Sequence, residues 1–106
     1  MLFGAMNNPL EPLQADIGRV ADMGFDYLEL AMDAPQAHHS LIAENMGAIR
    51  RALHDQGLQL VCHLPTFVYT ADLTESIRNA SREEVRRSIE TAARLKPLKV
   101  VVHPSI

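Results

Sequence analysis

Two short apolar runs, LQLVCHLP (58–65) and LKVVVHP (98–104), each carry a histidine near their carboxyl end, with a proline one or two residues behind it. Longer stretches precede each run, and their apolar residues recur at steps of three and four. Short strand-like runs alternating with helical periodicity point to an α/β domain with a parallel sheet. Parallel neighbours need a crossover long enough to hold a helix.

The whole chain follows this alternation. Leu2 to Met6 reads as a first strand, broken by Asn7, Asn8 and Pro9. Leu10, Leu13, Ile17, Val20 and Ala21 then share one helical face, and Gly24 stands where a helix end favours positive φ. FDYLELAM (25–32) is the second strand. Pro35 and the His38-His39 pair fall in a loop, where the histidines are expected to be solvated. Ile42, Met46, Ile49 and Leu53 stripe a second helix that Gly57 ends. After the third strand, residues 66–80 read as a polar loop longer than a usual βα connection. Ser81-Arg82-Glu83-Glu84 has the capping-box pattern, with Ser81 as N-cap. Val85, Ile89, Ala92, Ala93 and Leu95 give that helix its core face, and Pro97 separates it from the fourth strand. The expectation is one α/β domain over residues 1–106: four parallel strands with three intervening helices, half of a (β/α)8 TIM barrel.

Successive strand residues face opposite sides of a sheet. Leu28 and Leu30, then Leu58, Leu60 and Cys62, then Leu98, Val100 and Val102 fall on one face, which is uniformly apolar and fits packing under helices. Glu29, His63 and His103 fall on the other, near the carboxyl ends where α/β sheets and barrels build their sites. Neutral imidazole and carboxylate both bind divalent ions such as zinc. His63 and His103 are therefore candidate metal ligands. Glu29 is either a site residue or a carboxylate paired with a neighbouring Lys or Arg. Tyr69, Asp72 and Arg78 lie in the segment that leaves the third strand, placed to cover a polar ligand or to form an ordinary surface loop. His54 sits near a helix end, and Cys62 reads as a buried structural thiol.

Composition narrows the partners. The formal charge is −3, which argues against nucleic acid, since phosphate binding needs a basic patch. One cysteine excludes an intramolecular disulfide. No run of about 18 apolar residues predicts a membrane span, and the amino-terminal residues do not resemble a signal peptide. The expected location is the cytoplasm.

ADMGFDYLEL, VCHLPTFVYTADL and SREEVRRSIETAARLKPLKVVVHPS, in that order, resemble the xylose-isomerase-like barrel superfamily, which includes sugar phosphate isomerases and epimerases and the apurinic endonucleases. The resemblance implies that His63 and His103 bind a divalent metal (zinc, manganese or magnesium) or orient a sugar-like substrate. It implies that Glu29 lies in the site, which makes it the catalytic candidate; Tyr69 and Asp72, by their place on the loop leaving the third strand, are the substrate-binding candidates. The partner so implied is a small sugar or sugar phosphate. The chain departs from the family pattern in two places: Lys96-Pro97 replaces a glycine-containing turn, and Ser105 stands where glycine is common. The family barrel has eight strands and draws its carboxylate ligands and acid/base glutamates from later ones. Four strands leave edges unpaired, so either a missing carboxyl-terminal half or a homodimer is expected to complete them. Two other functions stay open: an apurinic-endonuclease-like phosphodiesterase, and a non-catalytic half barrel that self-associates.

Overall fold

The computed structural model describes residues 1–104; Ser105 lies outside the described residues. Eight elements follow one another: β1 (Gly4–Met6), α1 (Leu13–Asp22), β2 (Tyr27–Ala31), α2 (His39–Glu44), α3 (Met46–Asp55), β3 (Gln59–His63), α4 (Glu75–Leu95) and β4 (Lys99–Val101). The strands form one parallel sheet in chain order, β1-β2-β3-β4. Each strand therefore lies beside its predecessor, as successive βα units of a barrel do. The register pairs Met6 with Glu29, Glu29 with Val61, Ala31 with His63, and His63 with Val101.

The parity pattern holds in the inner strands. Leu28, Leu30, Leu60 and Cys62 are buried with Ile17 and Val20 of α1, Ile42 of α2, Ile49 and Leu53 of α3, and Ala92 and Leu95 of α4. Burial of this apolar face is the main force holding the helices on the sheet, at about 25 cal/mol per Å² of apolar area. Gly24 and Gly57 take positive φ at the ends of α1 and α3, a conformation a Cβ opposes. Lys96 adopts the same left-handed region after α4, at φ 53°. It thus makes, without glycine, the left-handed turn that leads into β4.

Several sequence expectations need correction. The second helical stretch is divided at Asn45, which ends α2 and begins α3; four helices lie between the strands. Leu10 precedes α1 in a turn and is exposed. The loop after β3 is shorter than expected, because α4 starts at Glu75 with Thr74 as N-cap. Residues 75–80 continue into helix without a breaker. Ser81 is therefore no cap but a buried residue inside the helix, where its Oγ accepts the Tyr69 backbone N–H at 2.9 Å. The inward stripe of α4 is Ser81, Ser88, Thr91, Ala92 and Leu95, while Ile89 and Ala93 face outward. At the sheet edge, Leu98, Val100 and Val102 are 58%, 44% and 62% exposed. Their face was expected under helices, but among the described residues no helix follows β4 to cover it.

Candidate functional site

The carboxyl end of the sheet brings the two strand-end histidines together. His63 closes β3, is buried, and has its Nε2 2.7 Å from Nε2 of His103. The rings are tilted by 59° with centroids 4.6 Å apart. His103 is two residues beyond Val101, the register partner of His63, and it is exposed. One nitrogen donates and the other accepts, so the pair shares a single proton between the two facing nitrogens. His63 Nδ1 is buried without a hydrogen-bond partner.

Polar side chains brace the neighbouring loops. The Asn7 amide extends β1: its Oδ1 accepts from the Ala31 N–H at 2.7 Å and its Nδ2 donates to the Ala31 carbonyl at 3.3 Å. Asp33 Oδ1 accepts from the Thr66 N–H at 3.0 Å and so ties the β2 exit to the β3 exit. Buried Asp16 accepts from the Asn8 N–H at 2.6 Å and from Arg19 at 3.1 Å. The loops leaving β1, β2 and β3 thus hold one another at the end of the sheet where the histidines sit.

The remaining sequence candidates lie apart from the pair. Glu29 is half-buried on the His63 side of β2; among the described residues no side chain forms an ion pair with it. Nor does it join the histidines in a three-ligand group. Tyr69 is partly exposed, held by its backbone to Ser81. Asp72 turns inward on its own segment: Oδ1 accepts from the Thr74 N–H at 2.7 Å, and its carbonyl accepts from Arg78 at 2.9 Å. Cys62 is fully buried, and burial pushes its thiol up to about 12. It is a packing residue.

A second group was missed by sequence reasoning. His38 and His39, expected to be solvated, flank the start of α2 and meet Glu84 of α4. His38 Nε2 lies 2.8 Å and His39 Nε2 3.3 Å from Glu84 Oε2. His39 is buried, with Nε2 lacking a well-formed hydrogen bond. Burial works to raise the Glu84 carboxyl, but the hydrogen bond with His38 and the charges of both histidines outweigh it and hold the carboxyl below its ordinary value. His38 and Glu84 also line a cleft of about 550 Å³ with Asn8, Asp33, Pro65 and Phe67. The adjacent histidines were a visible signal; their partner, 45 and 46 residues away, was not.

The strand-end pair suits a divalent ion in part. The two imidazole nitrogens face each other at 2.7 Å, whereas two nitrogens on one zinc stand about 3.3 Å apart. A small rotation of exposed His103 would open that gap. Zinc sites take three or four protein ligands, and the described residues place two here.

The sequence pattern of the family described as xylose isomerase-like TIM barrel matches residues 17–106. Among solved structures, a D-tagatose 3-epimerase-like protein superposes with a TM-score of 0.82 at 26% identity, over 99% of this chain and 38% of its own. A 3-keto-D-glucoside 4-epimerase from E. coli, in its apo form, gives a TM-score of 0.70 at 19% identity, over 94% of this chain and 36% of its own. A D-psicose 3-epimerase crystallised in the presence of D-fructose gives 0.70 at 20% identity, over 96% and 37%. The chain therefore spans less than two fifths of each. Comparison with curated protein sequences finds no match. Among the described residues no helix is long and apolar enough to cross a membrane.

Proposed function

Because the chain belongs to the xylose isomerase-like TIM-barrel family, we propose that it supplies the first four strands of a metal-dependent sugar or sugar phosphate isomerase/epimerase. The observation that carries this reading is the convergence of His63 and His103, Nε2 to Nε2 at 2.7 Å, at the sheet end where such barrels build their sites. The resemblance to a D-tagatose 3-epimerase-like protein supports the same class.

A divalent metal bound there would polarise a substrate carbonyl and stabilise the enediolate formed when the adjacent carbon loses its proton. His63 and His103 would hold it. His63 is fixed by burial in the sheet, whereas exposed His103 has freedom to turn toward metal or a sugar hydroxyl. Glu29, with no ion-pair partner among the described residues, offers a carboxylate to a substrate hydroxyl on the same face. Tyr69 and Asp72 ride the loop that leaves β3, and the Ser81 hydroxyl anchors that loop to α4.

Proton transfer and full metal coordination need further carboxylates. In this reading they come from strands beyond β4, supplied by the rest of a longer chain or by a second copy. The exposed Leu98, Val100 and Val102 are the surface such strands would cover. A single buried cysteine fits a reducing cytoplasm.

Saturation-transfer NMR with ketohexoses and their phosphates, in the presence of Mn²⁺, tests the reading. Binding that disappears in a His63→Ala/His103→Ala chain supports it. Binding that survives the double substitution contradicts it. Light scattering separates the two sources of the missing strands: a second copy predicts a dimer at micromolar concentration.

A further inference from the structure

We propose that His38, His39 and Glu84 form a second divalent-metal site, of zinc-type chemistry, on the rim between α2 and α4 and separate from the strand-end pair. Their ligand atoms all lie within 4.8 Å of one another. Glu84 Oε2 stands at the centre, 2.8 Å from His38 Nε2 and 3.3 Å from His39 Nε2. Two imidazoles and one carboxylate are a recurrent ligand set for zinc held by three protein groups, with one position left open. His38 and Glu84 both line the 550 Å³ cleft, which gives solvent and small ligands a route to such a position.

Burial distinguishes this group from a surface ion pair. The His39 side chain is 9% exposed, and its Nε2 points at Glu84 without a well-formed hydrogen bond. A buried ring nitrogen without a well-formed hydrogen bond is costly, and a metal ion would engage it. Ligands on one zinc stand about 3.3 Å apart; the His39–Glu84 pair already has that spacing and the His38–Glu84 pair, at 2.8 Å, needs a small opening. The rings of His38 and His39 are already adjacent, with centroids 4.0 Å apart.

The surroundings also supply the outer hydrogen bond that metal-binding histidines use. His38 Nδ1 lies 2.8 Å from Ser40 Oγ and 3.3 Å from the Ser40 backbone nitrogen. Without metal, Nδ1 can accept from the Ser40 N–H while Nε2–H donates to Glu84. With metal, the proton sits on Nδ1 and is donated to Ser40 Oγ, which frees the Nε2 lone pair. Of the neighbouring carboxylates, Asp33 shares the cleft but accepts from the Thr66 N–H. Glu83 turns away to Arg86 and Arg87.

Calorimetric titration of the whole chain with Zn²⁺, and Co²⁺ absorption as a check on geometry, tests the site. The unsubstituted chain should take up Zn²⁺, and Glu84→Gln should weaken the tighter event by about tenfold or more. His63→Ala/His103→Ala should leave that event in place. His38→Gln should weaken it similarly while sparing the buried His39, and it decides the matter should Glu84→Gln fold poorly. No Zn²⁺ uptake would show that the cluster is an ion pair joining two helices and would overturn the proposal. So would tight uptake that vanishes only in the His63→Ala/His103→Ala chain.

Discussion

The strand-end histidines and the rim histidines reach their partners by different routes. His63 and His103 meet because neighbouring parallel strands project alternate residues to one face, and the backbone ladder fixes which residues those are. His38, His39 and Glu84 meet because a six-residue helix and a 21-residue helix pack against each other. The first contact is set by hydrogen-bonded register and the second by side-chain packing. The strand-end pair has one buried and one exposed imidazole, two candidate ligands, and an open sheet face. The rim cluster has three candidate ligands within one chain. The larger group of metal-type side chains in these residues therefore lies outside the strand ends that the fold points to.

Substitutions separate the two groups by their effect on stability. The largest effect should come from Leu30→Ala, a fully buried core residue of β2; it should cost about 2–5 kcal/mol. Denaturant melts followed at both histidine groups should show a single transition, and separate transitions would mean the two regions are not one cooperative unit. His39→Ala should cost less, about 1–2 kcal/mol, because lost packing is partly offset by removing a buried nitrogen without a partner. Ser81→Ala removes the acceptor of the Tyr69 N–H and should cost about 1 kcal/mol. Hydrogen exchange should rise at Tyr69 while the His63 amide is unaffected. His103→Ala, at an exposed position, should stay within about 0.5 kcal/mol. A loss as large as that of His39→Ala would mean the strand-end pair is structural.

Acid sharpens the contrast further. The Glu84 carboxyl is held below its ordinary value in the folded chain. Its stabilising contribution is therefore present above the unfolded value, near about 4.3, and is lost as the pH falls through the lower folded value. Glu84→Gln should flatten this part of the stability profile measured between neutral pH and acid. An unchanged slope would place the acid sensitivity elsewhere.

The sequence exposed the sheet and its site face for a physical reason. Period-two alternation in β2 and β3 is enforced by backbone geometry, so Leu28, Leu30, Leu60 and Cys62 could be assigned inward, and Glu29 and His63 to the opposite face. The helices were less legible. Ser81 looked like an N-cap because Ser and a following Glu also make a capping box. Nothing local revealed that residues 75–80 already form helix and that the Ser81 hydroxyl is engaged by Tyr69. Asn45 gave little warning of the break between α2 and α3, since Ile42, Met46, Ile49 and Leu53 keep a continuous stripe across it. The rim cluster was least legible of all. Its geometry depends on how α2 and α4 pack, which neither segment encodes alone.

Histidine ¹⁵N spectra recorded during a Zn²⁺ titration of the whole chain test this two-group account most directly. His38 and His39 should shift first, at their Nε2 nitrogens, with His63 and His103 following at higher metal concentration because they lack a third ligand. If His63 and His103 respond first while His38 and His39 stay unchanged, the rim cluster is only a bridge between helices, and the contrast drawn between the two groups is wrong.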